Sequence, residues 1–297
     1  VRISVVTCAY NEARNLPYFL RAILDSTGPS FELVELIAVA SGCTDTTVPI
    51  LQAAAREDPR IRVVVQPEKR GKAAAMAAGL AAARGEVVLF ANSDTRPRRG
   101  AVEALASPFF DDRVSLVCSH PVPAIDRETL TARIARVLWE VHDRVSEQTP
   151  KAGEAFAIRN MRIPLAADVE DDDTFIGIYA GANGHRSVYA RDAVVYNRVP
   201  AIPSEFLRQR YRINRQVLGL YRRTGYSSST WSPGTMMRAL VGYCRDRPGQ
   251  IPYVILLLSA EAAARGTAVV VSLWSRTPIR SWAPIDSTKV ALDGGPG

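Results

Sequence analysis

Glu170-Asp171-Asp172-Asp173 sets four carboxylates in succession, and well upstream an apolar run closes on Asn92-Ser93-Asp94. Carboxylates at such density repel one another. A fold tolerates them mainly where a cation, a proton or a cationic substrate group is shared. A strand-end cluster and a second, remote cluster suggest two halves of one site. One half would seat a metal ion and a diphosphate, and the other would supply a catalytic base. Both depend on elements that bring them together.

The first hundred residues alternate strand and helix. Ile3–Thr7 reads as a short β-branched strand, after which Asn11-Glu12 opens an amphipathic helix to about Asp25. Leu33–Ala40 is a second strand, Thr44-Asp45 caps a helix to Arg56, and Ile61–Gln66 is a third strand. An Ala-rich helix over Gly71–Arg84 and a strand over Glu86–Ala91 complete the series. Strands separated by single helices predict a parallel sheet covered on both faces, with ligands at the carboxyl ends of the strands. Those ends carry Tyr10-Asn11-Glu12, Ser41-Gly42 and Asn92-Ser93-Asp94.

Further along, Val114–Cys118, Gly153–Ile158 and Ser187–Tyr189 read as strands. Arg127–Gln148 reads as a long helix, and Ser204–Tyr221 as a basic helix carrying Arg208, Arg210, Arg212 and Arg215. Residues 225–250 show no legible pattern. Ile251–Trp274 is strongly apolar but is interrupted by Glu261 and Arg265, four apart and able to neutralise each other on one face. Two readings stand for that helix: membrane-inserted or interfacial, or buried in a soluble protein.

With 297 residues and 47% hydrophobic content, the chain can build a full core. Its excess of seven positive charges is nearly all Arg. That excess serves solubility or a polyanionic partner, with nucleotide phosphates and an anionic lipid surface ahead of nucleic acid. The arginines are dispersed and no nucleic-acid-binding motif is present, so no nucleic-acid partner is expected. Cys8, Cys43, Cys118 and Cys244 lack metal-ligand spacing, which argues against zinc and a disulfide framework. None of the three histidines has a claim on the site. The chain opens directly on a strand, so no signal peptide is expected. The expected setting is cytoplasmic, peripheral to or anchored at the inner face of the cell membrane.

In order, VVTCAYNEARNLP (5–17), SGCTDTT (41–47), RGKAAAMAAGL (70–80), VVLFANSDTRP (87–97), GEAFAIR (153–159), VEDDDTFIGI (169–178) and QRYRI (209–213) resemble the family-2 glycosyltransferases. The resemblance implies an α/β fold of GT-A type: a Rossmann-like, mostly parallel sheet with flanking helices, plus a C-terminal helical, apolar extension. It divides the chain into a glycosyltransferase domain over 1–225, with a nucleotide-sugar half 1–100 and an acceptor half 101–225, and an extension over 226–297. The implied reaction is inverting transfer of a sugar from a nucleoside-diphosphate sugar, usually a UDP-sugar, to a hydroxyl. The acceptor is lipid-linked, a polysaccharide or a secondary metabolite, and the implied cofactor is Mg²⁺ or Mn²⁺.

By resemblance Asp94 holds the metal, in the family's Asp-x-Asp position, although it could instead cap the following turn. Asp171 is the general base and Glu170 holds the loop, while Asp172 and Asp173 read as helix-start caps. Tyr10, Asn11, Glu12, Ser41, Asp45, Lys72, Asn92, Ser93, Gln209 and Arg212 are assigned to the donor nucleotide. For Asn11, Glu12 and Asp45 helix capping competes with that role, and for Lys72 and Arg212 a solvated surface does.

Several positions depart from the pattern. Asn92 replaces the first Asp of Asp-x-Asp, Ala40-Ser41 an Asp-Asp pair, and Ala77 a common Asn. The last two leave guanine and thymine open beside uracil. Ile213 replaces a Trp, which favours single transfer over polymer synthesis. Tyr196 and Asn197 stand near where some members place a metal-binding His. A nucleotidyltransferase of similar fold and a degenerate sugar-nucleotide-binding protein remain the alternatives.

Overall fold

The computed structural model describes residues 1–166, 168–181, 185–226, 228–275 and 285–289. The N-terminal half runs β1 (Arg2–Ala9), α1 (Leu16–Leu24), β2 (Glu32–Ser41), α2 (Thr47–Glu57), β3 (Ile61–Gln66), α3 (Lys72–Ala82), β4 (Val87–Ala91), β5 (Thr95–Pro97) and α4 (Ala101–Ala106). Then follow β6 (Val114–Ala124), α5 (Leu130–Gln148), β7 (Ala155–Arg159), α6 (Asp172–Gly181), β8 (Arg186–Arg198), α7 (Pro203–Thr224), α8 (Pro233–Asp246) and α9 (Ile251–Trp274). α1 starts later than the sequence suggests. Asn11 sits at φ 54°, outside the helical region, and Pro17 fits a first turn that begins at Leu16.

Among the described residues eight strands form one sheet in the order β3-β2-β1-β4-β7-β6-β8-β5. β3, β2, β1 and β4 are parallel, as their single-helix crossovers require. β7 reverses that direction: it pairs antiparallel with β4 (Leu89↔Ala157) and with β6 (Val117↔Ala157). β8 returns parallel to β6, and β5 closes the edge antiparallel to β8. One sheet edge therefore collects the carboxyl ends of β1, β2, β4, β6 and β8 together with the amino end of β7. β6 continues past Cys118 through Pro121 and Pro123, residues that cannot donate to a ladder and so hide a strand from sequence inspection.

Leu16, Phe19 and Ile23 of α1, Leu51 of α2 and Leu105 of α4 cover one face of the sheet. Met76 and Leu80 of α3 and Ile176 of α6 cover the other. A third cluster joins Val137 and Val141 of α5, Phe206 of α7, Tyr243 of α8, and Val254 and Leu257 of α9. The C-terminal helices are thus docked against α5 and α7. The division drawn at residue 225 falls on Gly225, which ends α7 in the left-handed conformation at φ 72°.

At the opposite edge a polar knot fixes the strand register. Glu35 Oε1 accepts hydrogen bonds from Ser4 Oγ and Arg84 N, both at 2.8 Å, while Oε2 accepts from Arg62 Nη1 at 2.6 Å. Ser4 Oγ accepts in turn from Gly85 N at 2.8 Å. Burial opposes the Glu35 charge, but the Arg62, Ser4 and Arg84 donors prevail and hold its carboxyl below the ordinary glutamate pKa. A depressed folded-state pKa contributes stability that is complete above the unfolded value and is lost as pH falls through the folded one. Glu35→Ala strands the buried donors and is expected to cost about 2 kcal/mol. Urea melts at pH 7 and in the acid range check this: the deficit should shrink as pH falls below the ordinary glutamate range.

Candidate functional site

One cavity of about 740 Å³ opens along the sheet edge that collects the strand ends. Tyr10, Glu12, Ser41, Lys72, Asn92, Ser93 and Asp94 line it from the first hundred residues, and Glu170, Asp171, Gln209 and Arg212 from the later ones. Asn11 and Asp45 do not line it. They tie two loops behind it: Asn11 Oδ1 accepts from Thr44 N at 2.9 Å, and Asp45 accepts from Thr47 N at 2.9 Å and Ala13 N at 3.3 Å.

At one end Lys69 Nζ lies 3.8 Å from the Tyr10 ring centroid. Ser41 Oγ donates to Glu68 O at 3.3 Å and accepts from Arg70 N at 3.2 Å, holding the loop that carries Lys69. That loop passes so close to Gly42, itself at φ 63°, that a Cβ there would lie 2.6 Å from Lys69 N. Buried Glu12 accepts from Asn15 Nδ2 at 2.9 Å and pairs with Lys289, whose ammonium also reaches Tyr10 O at 3.3 Å. Nothing in the sequence linked Lys69 or Lys289 to Tyr10 and Glu12.

In the middle lies the acidic floor. Ser93 Oγ donates to Cys8 O at 2.9 Å and Thr95 Oγ1 to Asn92 O at 2.7 Å, so the turn carrying Asp94 is pinned to β1 and closed on itself. Glu154, just before β7, meets Asn92 there: Asn92 N donates to Glu154 O at 3.1 Å, and Asn92 Nδ2 to Glu154 Oε2 at 2.8 Å. Asn197, at the end of β8, donates from Nδ2 to Glu154 Oε1 at 3.2 Å. Burial raises the carboxyl pKa of Asp94, Glu154 and Asp173, and that of Asp172 to about 7.

A divalent cation suits this floor by its chemistry. The Asp94 carboxylate and the buried Asn197 Oδ1, which has no hydrogen-bond partner among the described residues, are hard oxygen donors. No group of three His, Cys, Asp or Glu side chains comes together as a metal site among the described residues. A cation would therefore complete its coordination with substrate oxygens or water.

The 170–173 run flanks the same cavity. Lys72 Nζ pairs with Asp173 at 2.7 Å and with Asp172 at 3.7 Å, joining the start of α3 to the start of α6. Burial works against the Lys72 charge, but Asp173 and Asp172 outweigh it and hold its pKa above the ordinary lysine value. Asp172 and Asp173 thus face Lys72, and the helix cap belongs to Asp171, whose Oδ1 accepts from Thr174 N at 3.4 Å. Gln216 of α7 donates to Glu170 O at 2.6 Å. Arg212 of α7 is pulled below its ordinary pKa by burial, against the pull of Glu154, Asp94 and Asp172, and its Nε has no hydrogen-bond acceptor among the described residues.

The far end is apolar. Leu138 and Trp139 of α5, Met236 and Leu240 of α8, and Leu257 and Leu258 of α9 line it. Burial drives the His142 imidazole down to about 3, so this histidine is a neutral wall of the cavity. Glu261 and Arg265 of α9 turn inward: Glu261 pairs with Arg210 of α7 and with Arg265 at 3.4 Å. Arg265 also donates to Thr230 O at 3.1 Å. Ile255, Val270, Leu273 and Trp274 point outward and are 58%, 55%, 71% and 88% exposed.

The family model described as Glycosyl transferase family 2 matches residues 4–191, so the chain belongs to that family. It is 34% identical over 103 residues to glycosyltransferase GlyG of Streptococcus pneumoniae, covering 35% of this chain and 33% of that protein. To the dolichyl-phosphate beta-glucosyltransferase of Drosophila melanogaster it is 30% identical over 130 residues, 39% of this chain and 40% of that one. A 73-residue match, 41% identical, to the pre-mycofactocin glycosyltransferase of Mycobacterium tuberculosis covers 25% of this chain and 16% of the relative. The chain spans less than half the length of these curated relatives.

In structure it is similar to the mannosyltransferase PcManGT from Pyrobaculum calidifontis, solved with GDP-Man and Mn²⁺. The TM-score is 0.59 at 22% identity, over 93% of this chain and 81% of that one. Glucosyl-3-phosphoglycerate synthase from Mycobacterium tuberculosis, solved with Mn²⁺, UDP and phosphoglyceric acid, gives 0.51 at 22% identity over 76% and 80%. These likenesses establish the GT-A fold.

Gly219 of α7 lets Glu170 sit against the helix, since a Cβ there would fall 1.5 Å from Glu170 Oε2. Gly219→Ala should push Glu170 aside and carry Asp171 with it, cutting sugar transfer roughly tenfold to a hundredfold. The fold should survive, because Ala gains about 1 kcal/mol over Gly within a helix. Parallel rate and thermal-melt measurements separate the two effects.

Proposed function

We propose that the chain transfers a single sugar, with inversion, from a nucleoside-diphosphate sugar to a hydroxyl of a lipid-linked acceptor. The observation that carries this reading is the shared cavity: Asp94 and Asp171 line one space, with a polar end at Tyr10 and an apolar end at Trp139. Membership of glycosyl transferase family 2 supports the reaction class. The GDP-Man, UDP and Mn²⁺ with which the two structural neighbours were solved support a nucleotide-sugar donor and a divalent cation. UDP-sugars are the first donors to test.

In this reading the nucleoside lies near Tyr10, Glu12 and Ser41, and Lys72 and Arg212 favour the negative diphosphate. When bound, the cation supplies Lewis-acid neutralisation of the leaving phosphates, with Asp94 as its carboxylate. The acceptor oxygen attacks the anomeric carbon from the face opposite the diphosphate, which inverts the configuration. The bond from that carbon to the phosphate oxygen breaks and its electron pair leaves with the nucleoside diphosphate. Asp171 takes the acceptor proton. Glu170 acts through the loop, which Gln216 and the close approach to Gly219 keep in place.

The acceptor's lipid class rests on the apolar end and on α9. Mean hydropathy reaches 1.8 in a helix long and apolar enough to cross a membrane, yet only 22% of that stretch is buried. Its charges face the protein, while Ile255, Val270, Leu273 and Trp274 leave an apolar stripe facing outward, unlike the polar outer face of an ordinary surface helix. This arrangement suits a helix lying in the headgroup region of a bilayer at the cytoplasmic face, with the acceptor entering from the lipid.

Asp171→Asn should lower kcat by about 10²- to 10⁴-fold while UDP still binds in calorimetry; near-normal turnover would remove the base assignment. Asp94→Ala should abolish the dependence of donor binding on Mn²⁺. Release of nucleoside diphosphate is expected, and pyrophosphate would point to nucleotidyl transfer. Replacing Ile255, Val270 and Leu273 by Ser should abolish co-sedimentation with anionic vesicles, whereas unchanged co-sedimentation would exclude α9 as the contact.

A further inference from the structure

We propose that Glu154 and Asn197 complete the cation seat with Asp94, in place of the carboxylate that Asn92 lacks. This rests on the transferase reading but concerns residues which that reading leaves without a role. Asn92 directly follows β4 as a neutral amide, which makes a weaker ligand for a hard cation than a carboxylate would. Directly across the antiparallel pair, Asn92 N donates to Glu154 O at 3.1 Å, so the negative charge missing from β4 is carried one strand over.

The side chains are arranged around that exchange. Asn92 Nδ2 donates to Glu154 Oε2 at 2.8 Å and Asn197 Nδ2 to Oε1 at 3.2 Å, so two amides fix the carboxylate from two strands. Each carboxylate oxygen retains a further lone pair after accepting one hydrogen bond. A carboxamide next to a carboxylate must turn its NH₂ toward it, which defines where the Asn197 oxygen points. That Oδ1 belongs to a residue only 6% exposed, lines the cavity, and has no donor among the described residues. A buried amide oxygen without a protein donor has room to bind a water or a cation.

Charge leads to the same place. Asp94 and Glu154 are two carboxylates lining the same cavity, which Lys72 and Arg212 also line. Lys72 is already engaged by Asp173 and Asp172, which limits what it can give to Asp94 and Glu154. A divalent cation between Asp94 and Glu154 would satisfy both carboxylates and the stranded Asn197 oxygen at once.

Mn²⁺ binding, followed by electron paramagnetic resonance and calorimetry with and without UDP, tests this without any turnover. Glu154→Gln keeps the shape but removes the charge and turns one of the two hydrogen-bond acceptors into a donor, and should weaken Mn²⁺ by about tenfold or more. UDP binding without metal should be unchanged, and thermal melts report whether the variant is folded. Adding Asn92→Asp to Glu154→Gln puts the carboxylate back on β4 and should restore Mn²⁺ binding. Asn197→Ala should weaken it independently. Wild-type Mn²⁺ affinity in folded Glu154→Gln, or a double variant no better than Glu154→Gln alone, overturns the proposal. A wild type that binds Mn²⁺ but transfers no sugar would instead remove the transferase reading and leave the seat intact.

Discussion

Asp94, Glu154, Asp172 and Asp173 share one poorly hydrated floor, and burial raises the proton affinity of every one of them. Removing carboxylates from water is expensive, and the cost is tolerated only when counter-charges and hydrogen-bond donors are built around them. Lys72 and Arg212 provide the charges, and Asn92 and Asn197 provide donors. Each comes from a different element: α3, α7, the end of β4 and the end of β8. The whole architecture serves to hold these groups at one sheet edge.

The reversal of β7 makes this possible. Were β7 parallel to β4, the residue preceding it would lie at the opposite edge, beside the Glu35 knot. Running antiparallel, β7 begins where β4 ends, so Glu154 faces Asn92 across one ladder position. Lys72 then links the two halves of the chain through the Asp172-Asp173 start of α6. The start of α3 and the segment bearing Asp171 are consequently held as one electrostatic unit.

α9 solves a different problem. Its charged pair could not sit alone in lipid, yet the helix is too apolar to lie comfortably in water. Turning Glu261 and Arg265 inward, against Arg210 and Thr230, removes the first difficulty and leaves an exposed apolar stripe, the one proposed above to meet lipid. The same rotation brings Leu257 and Leu258 to the cavity, which gives the site its apolar end.

Local pattern alone identified much of this protein. β-Branched runs with single-helix spacings predicted the four parallel strands, and seven ordered motifs predicted the GT-A fold. α9 has the bounds read from its hydropathy, because a continuous apolar run is a local property. Elements coded by weaker signals escaped: β6 beyond Cys118 runs through two prolines, and α8 lies in a stretch without legible periodicity. Among site residues, Asp94 and Asp171 stand out in the sequence because clustered carboxylates are conspicuous there. Glu154 sits in a motif that reads as a strand, and only an antiparallel neighbour sets it opposite Asn92 at the cavity. Asp171 rather than its neighbours caps α6, and Lys289 reaches Glu12 from the other end of the chain. Sequence specifies which side chains exist and which local elements they favour; only the tertiary structure decides which charges share a cavity, because Coulomb energy and desolvation depend on distance through space and not along the chain.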